Sequence, residues 1–252
     1  MAGRCCTIAA ATPTPTGCDT VSAIAASTVG VETLDDPTTD PALVVRMLGD
    51  IALANRWFGG TATVRAGLAW LLGAEDQGRT LTLLDVGTGA GDLPLDAMRF
   101  AFGRGVTLRV IGLERIPAAA QLAQRAGVAT MLGCAGAIPL GPRSVDIVLV
   151  SQVAHHLDDA AVVRLFADCT KIARRGVIIA DLRPSRWAGF AFRVGGAVLG
   201  LHRTSVADGV TSLRRGFTPD RLRTLVERAH DYPMHLTIRP FARILACWRT
   251  SQ

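Results

Sequence analysis

The chain predicts an α/β fold, a doubly wound parallel sheet with helices on both faces, and three observations carry that expectation. An apolar run ends in a carboxylate and turns through three alternating glycines, Leu83-Leu84-Asp85-Val86-Gly87-Thr88-Gly89-Ala90-Gly91-Asp92-Leu93. From Leu81 onward apolar strand-like segments alternate with helical ones, the order expected of βαβ units. Val145 to Ser151 and Gly176 to Asp181 are unbroken apolar runs apart from Asp146 and their ends, as parallel strands covered on two faces require.

The elements follow in order. Asp40 as N-cap and Pro41 at the first helical position open a helix to Asn55, with Leu43, Val44, Met47, Leu48 and Ile51 mostly at helical spacing. Asn55 to Gly60 breaks it, and a second helix is expected from Thr61 to Leu72. Then come a strand to Val86, a helix from Asp92, a strand Leu108 to Leu113 closed by Glu114, and a helix from Pro117. A short strand Ala129 to Leu132, a strand to Val150, a helix from Asp159 and a strand to Asp181 continue the series. Thr218-Pro219-Asp220 supplies an N-cap, a first-position proline and an acidic first turn for a helix to about His230. Met234 to Ile238 and Arg243 to Trp248 read as two edge strands.

An insertion of about thirty-five residues separates Asp181 from Thr218, longer than an ordinary connection, so it should hold its own structure. Trp187, Phe190, Ala191, Val194, Val198 and Leu201 recur at near-helical intervals there, with Gly189, Gly195, Gly196 and Gly200 thinning the same helix. It is expected either to pack on the core or to form a lid over an apolar substrate pocket. A peripheral membrane contact, with Arg186, Arg193 and Arg203 toward lipid phosphate, is the sharper form of the lid reading. The organisation is therefore a disordered tail over 1–33, a helical cap over 34–75, and a main domain over 76–252 with the insertion at 182–217.

Composition narrows the function. With 252 residues and 49% of them hydrophobic, a single large core is within reach. The net charge of +6 comes almost wholly from arginine, Lys171 being the sole lysine. Aromatic residues are scarce and no nucleic-acid motif accompanies the charge, so nucleic acid is not an expected partner. Cys5, Cys6, Cys18, Cys134, Cys169 and Cys247 form no C-x-x-C pair, so no metal and no disulfide framework is expected. The Ala-, Thr- and Ser-rich start lacks a sustained apolar stretch, which argues against a secretory signal and for a cytoplasmic location.

The glycine turn carries the chemistry. Glycine accepts positive φ and lets cofactor atoms approach the backbone, while the next helix begins with unpaired N–H groups. A dinucleotide turn reads G-x-G-x-x-G, with pyrophosphate on the helix N-terminus. This chain has G-x-G-x-G between Asp85 and Asp92, and two carboxylates would repel a pyrophosphate but attract an amino group and a sulfonium. The stretch resembles motif I of class I S-adenosylmethionine-dependent methyltransferases. Glu114, a little over twenty residues beyond Gly91, is placed to accept ribose hydroxyls, and it would suit NAD as well.

Further landmarks extend the resemblance from Leu81 to the C-terminus. Gly133-Cys134-Ala135-Gly136-Ala137-Ile138-Pro139-Leu140 is similar to the family's G-D-A-x-x-L-P-F element, with Cys134 where the family has an adenine-binding aspartate. The thiol is a weak acceptor, so backbone near Ala135 and packing would hold the ring. The resemblance implies a Rossmann-like seven-stranded sheet ending in an antiparallel hairpin, with the two N-terminal helices over the cofactor. It implies S-adenosyl-L-methionine as cofactor, held by Asp85, Gly87, Thr88, Gly89, Gly91, Asp92, Glu114, Arg115, Ile116, Cys134, Ala135, Ser151 and Gln152. The alternatives are an oxidoreductase on a dinucleotide and a protein that binds S-adenosylmethionine without transferring its methyl group.

Ser151-Gln152-Val153-Ala154-His155-His156-Leu157-Asp158 follows the fourth strand, at the crevice where open parallel sheets bind ligands. Many relatives carry His or His-His here. His155, slightly favoured over His156, is the candidate base, with Asp158 or Asp159 orienting the ring. One histidine of the pair is expected only to bond structure. Asp181 either orients an acceptor hydroxyl or caps a turn, and His202 is a weaker candidate. Trp57 and Phe58 are either packing or pocket residues. The expected reaction is O-methylation of a small hydrophobic phenolic or hydroxyquinone- or polyketide-like compound of secondary metabolism, with ring C-methylation as the alternative.

Overall fold

A computed structural model describes residues 30, 32–36 and 38–250. The expected tail falls outside the described residues, except for Gly30, Glu32 and Thr33, which dock on the domain as set out below. A short 3-10 turn at Thr33–Asp35 leads to α1 (Pro41–Trp57) and α2 (Gly60–Leu71). The sheet elements follow: β1 (Thr80–Val86), α3 (Asp92–Phe102), β2 (Thr107–Glu114), α4 (Pro117–Arg125), β3 (Ala129–Leu132), β4 (Val145–Ser151), α5 (Asp159–Ile172) and β5 (Ala173–Leu182). The insertion holds two helices, α6 (Arg186–Val198) and α7 (Arg203–Arg215), and the chain closes with α8 (Pro219–Ala229), β6 (Met234–Arg239) and β7 (Arg243–Arg249).

The seven strands form one sheet in the order β3-β2-β1-β4-β5-β7-β6. The first five are parallel, and β7 runs antiparallel to both β5 and β6. This is the doubly wound, Rossmann-like seven-stranded sheet with the antiparallel C-terminal hairpin that the sequence predicts. The order reverses between β1 and β4, which opens a crevice at their carboxyl ends. Ser151 and Asp181 end β4 and β5 beside it, while α1, α6 and α7 pack over it.

Each sheet face has its own core. On one, Phe166 of α5, Leu222 of α8 and Trp248 of β7 cover Val148, Val150 and Val177. On the other, Val64 and Leu68 of α2 and Ala97 of α3 cover Leu83, Ile147 and Ile178. Gly67 lets α2 lie close on the sheet: a Cβ there would stand 2.6 Å from Ile178 Cγ2. Asp76, fully buried, accepts both Nη atoms of Arg175, so that pair anchors the β5 entry to the β1 entry.

The caps agree with the sequence: Asp40 accepts from Ala42 N, Asp158 from Ala161 N and Thr218 from Arg221 N. The insertion differs from the expectation of a single helix, because Gly200 (φ +68) breaks it and His202 caps α7 by accepting from Thr204 N. α7 is mostly polar, but Val206, Val210 and Leu213 at i, i+4 and i+7 form a short apolar stripe that could have announced it. No helix among the described residues is long and apolar enough to cross a membrane.

Trp248 is fully buried, lies edge-on to Phe166 at 6.0 Å between centroids and donates Nε1–H to Thr170. Trp248→Ala is expected to cost about 3–5 kcal/mol, read as a lowered midpoint in a denaturant melt of the full chain.

Candidate active site

The crevice holds a cavity of about 370 Å³. Its floor is the turn after β1, where Gly87 (φ +75), Gly89 (φ +55) and Gly91 (φ +82) all adopt left-handed backbone that side chains resist. Asp85, buried at the end of β1, accepts from the Thr88 hydroxyl at 2.8 Å. Asp92 begins α3 and accepts from Asn55 Nδ2 at 2.9 Å, while Asn55 Oδ1 accepts from Gln152 Nε2 at 2.7 Å. Gln152 itself sits at φ +56, an uncommon conformation for a residue with a side chain.

Glu114 ends β2 and accepts from the N–H groups of Gly89, Arg115 and Ile116. A carboxylate offers about four acceptor positions, so one remains toward the cavity that Glu114 lines. Asp85, Asp92 and Glu114 thus surround one space with no cationic partner of their own among the described ion pairs. Burial pushes the Asp85 carboxyl up to about 7; the Thr88 bond opposes this, and the neighbouring Asp92 and Glu114 charges add to it. Burial likewise raises Asp92. Beside this acidic wall, Ile116 joins an apolar cluster with Val44, Leu48, Ile51 and Ala119, and Cys134 and Ala135 line the same cavity. The arrangement fits S-adenosylmethionine: carboxylates for its cationic groups and ribose, and an apolar slot for the adenine.

At the other end of the cavity stand the two histidines. A 3-10 turn, Ala154–His156, follows β4 and presents both. His155 is buried, and its Nδ1 lies 2.6 Å from Asp181 Oδ1. Its Nε2 is buried without a hydrogen-bond partner. Burial alone would raise Asp181, but the His155 contact outweighs it and leaves the carboxyl below its usual range. Asp181 therefore orients the imidazole, in place of the expected Asp158 or Asp159. Asp158 is spent on capping α5, and Asp159 pairs with exposed Arg221.

Several residues at this end were not singled out from the sequence. His156 Nδ1 lies 2.9 Å from Asp35. Glu32 stands 3.8 Å from the Nε2 atoms of both histidines and accepts from Ser212 at 2.7 Å. Arg215 of α7 reaches Glu32 at 3.3 Å and Asp35 at 3.0 Å, and also donates to the Gly30 carbonyl. Thr33 N donates to Asp208 at 2.8 Å. These bonds fasten Gly30, Glu32, Thr33 and Asp35 against α7. Glu32, His155 and His156 are close enough to suggest a metal site. Arg215, 3.3 Å from Glu32 and 3.5 Å from His156 Nδ1, already supplies the cation among them.

Phe58 lines the cavity while Trp57 is exposed. His202 is a helix cap. Arg115 donates to the Leu34 carbonyl, so it holds the N-terminal segment as well as lining the pocket. Arg243, not foreseen, is buried beside Asp181 and donates to the Phe58 carbonyl; burial pushes it down to about 10 against the pull of Asp181.

Residues 84–180 match the family described as a methyltransferase domain. Solved structures share the fold at low identity. A SAM-dependent methyltransferase from Aquifex aeolicus is 15% identical, with TM-score 0.56 over 84% of this chain and 99% of that one. Magnesium protoporphyrin IX methyltransferase from Synechocystis, solved with bound SAH, is 17% identical with TM-score 0.51 over 77% and 84%. Human N-acetylserotonin methyltransferase, solved with SAM, is 16% identical with TM-score 0.54 over 82% of this chain and 56% of that one. No curated protein sequence matches the chain. The domain match and the acidic cofactor wall define a methyltransferase enzyme whose cofactor is S-adenosylmethionine.

A cation entering this wall favours the ionised form of Asp85, which protonates near pH 7 without it. Cofactor affinity is therefore expected to be full above about pH 7 and to fall as pH drops through that value, with proton release on binding. Calorimetry of S-adenosylhomocysteine binding at several pH values checks this, and Asp85→Asn should flatten the profile while weakening binding.

Proposed function

We propose that the chain O-methylates a small hydrophobic hydroxylated ring, a phenol, hydroxyquinone or polyketide-like compound of secondary metabolism. The observation that carries this reading is His155 Nε2, buried, unpartnered and on the cavity wall. With Nδ1–H donated to Asp181, the neutral ring presents Nε2 as an acceptor. A phenolic hydroxyl donating to that nitrogen would satisfy it and pass it the proton as the methyl group is taken.

Phe58, Ala188, Phe192 and Leu213 line the cavity as well, with Ala188, Phe192 and Leu213 in one cluster and Phe58 edge-on to Phe192, a surface suited to an apolar ring. S-adenosylmethionine supplies an activated methyl carbon, so the protein's share is alignment and proton removal. Asp181 fixes the tautomer and stabilises the imidazolium once formed. Glu32, 3.8 Å from His155 Nε2, adds a second negative group to the same purpose. His156, bonded to Asp35 and near Arg215, holds the N-terminal segment in place and plays the structural part of the pair.

His155→Ala is expected to lower kcat by about 10²–10⁴-fold, the usual contribution of a positioned base, with S-adenosylhomocysteine affinity unchanged. His156→Ala should lose less. Turnover of a phenolic acceptor panel, with calorimetry alongside, reads both. Equal turnover in the wild type and the His155 variant would remove the base from the mechanism.

A further inference from the structure

α6 separates the cavity from solvent, and its two faces are both apolar. The inner face places Ala188, Ala191 and Phe192 on the cavity, with Gly189 and Gly196 buried against the domain. On the outer face stand Trp187 at 84% exposure, Phe190 at 62%, Val194 at 51% and Val198 at 82%. Their spacing, i, i+3, i+7 and i+11, aligns them in one stripe along about 17 Å of helix. Phe241, also exposed, packs on Phe58, and a Cβ on Gly195 of α6 would meet that same ring, so the apolar surface continues across the β6–β7 turn. An exposed stripe of large side chains marks a contact surface.

The charge around the stripe names the partner. From Leu182 to Ala207 the chain has four arginines, Arg183, Arg186, Arg193 and Arg203, and no acidic residue. Arg186, Arg193 and Arg203 are exposed, and among the described residues none forms an ion pair. Arg186 and Arg193, seven apart, lie on one flank of the stripe. A short helix with bulky apolar residues on one side and arginine at its margin is suited to lie in a bilayer interface, where anionic lipid attracts each nearby arginine. Pairing the same face with a second copy would bring like charges together.

We propose that α6 docks the enzyme on an anionic lipid surface, with Trp187, Phe190, Val194 and Val198 seated among the acyl chains and Arg186 and Arg193 on lipid phosphate. The docked helix is also the cavity wall, so an apolar acceptor dissolved in the bilayer reaches the site past α6. That route rests on the proposed acceptor class; the docking does not.

The test uses the full chain with vesicles of phosphatidylcholine alone and of phosphatidylcholine mixed with phosphatidylglycerol. The chain should co-sediment with the mixed vesicles, less as salt rises, and weakly with phosphatidylcholine alone. Trp187→Glu with Phe190→Glu should abolish binding, and Arg186→Ala with Arg193→Ala should weaken it about thirty-fold, from the usual contribution of two arginines near an anionic surface. Both variants change exposed side chains, and each should bind S-adenosylhomocysteine as the wild type does, which separates this proposal from the methyltransfer reading. No binding to mixed vesicles at low salt overturns the docking. So does wild-type binding by the Glu variant, or a dimer in sedimentation that this variant dissolves without any vesicle binding.

Discussion

Three carboxylates held around one space without a cation of their own govern this molecule. Asp85 ends β1, Glu114 ends β2 and Asp92 begins α3, so parallel pairing of two neighbouring strands forces like charges together at the crevice. In isolation the arrangement is unfavourable. A carboxyl whose folded pKa is raised makes the fold less stable as pH rises from its unfolded value to its folded one, and Asp85 is raised to about 7. The glycine turn tolerates the cluster because its N–H groups and the Thr88 hydroxyl answer part of the charge. What remains unanswered is a receptor for a cationic ligand, and the G-x-G-x-G bend clears the backbone for it.

The second end of the cavity applies the opposite logic. There Arg215 pairs with Glu32 and Asp35, the two histidines hydrogen-bond Asp181 and Asp35, and His155 keeps one nitrogen unsatisfied. One site thus contains a region short of positive charge and a region short of a proton donor. A methyl group carried on a cation and an acceptor carrying a hydroxyl are complementary to those two deficits. α6, Glu32, Leu34 and Asp35 line the space between them.

Much of this was legible in the chain. The parallel strands and the cofactor turn announce themselves through unbroken apolar runs and glycine spacing, since both depend on local sequence. β5 was read short because Arg174 and Arg175 interrupt its apolar run, and its start is instead fixed by the Arg175–Asp76 pair across the sheet. α7 was legible only weakly, because its stripe is three residues long, Val206, Val210 and Leu213, in an otherwise polar segment. Glu32, Asp35 and Arg215 were also missed as site residues, because they meet the histidines only through contacts more than 50 residues apart in sequence. One signal was present: Glu32 and Asp35 precede a proline at the edge of a segment otherwise poor in charge. The orienting role of Asp181 needed the register of β4 on β5, which pairs Ser151 with Ala180 and so brings the next residues of both strands to the same edge.

The charge preference of the acidic wall decides which cofactor this crevice takes. Calorimetry of the full chain with S-adenosylmethionine and with NAD, at a pH above the Asp85 transition, tests it directly. One site for S-adenosylmethionine is expected, and no heat from NAD, whose pyrophosphate the carboxylates repel. Binding of NAD without S-adenosylmethionine would contradict it.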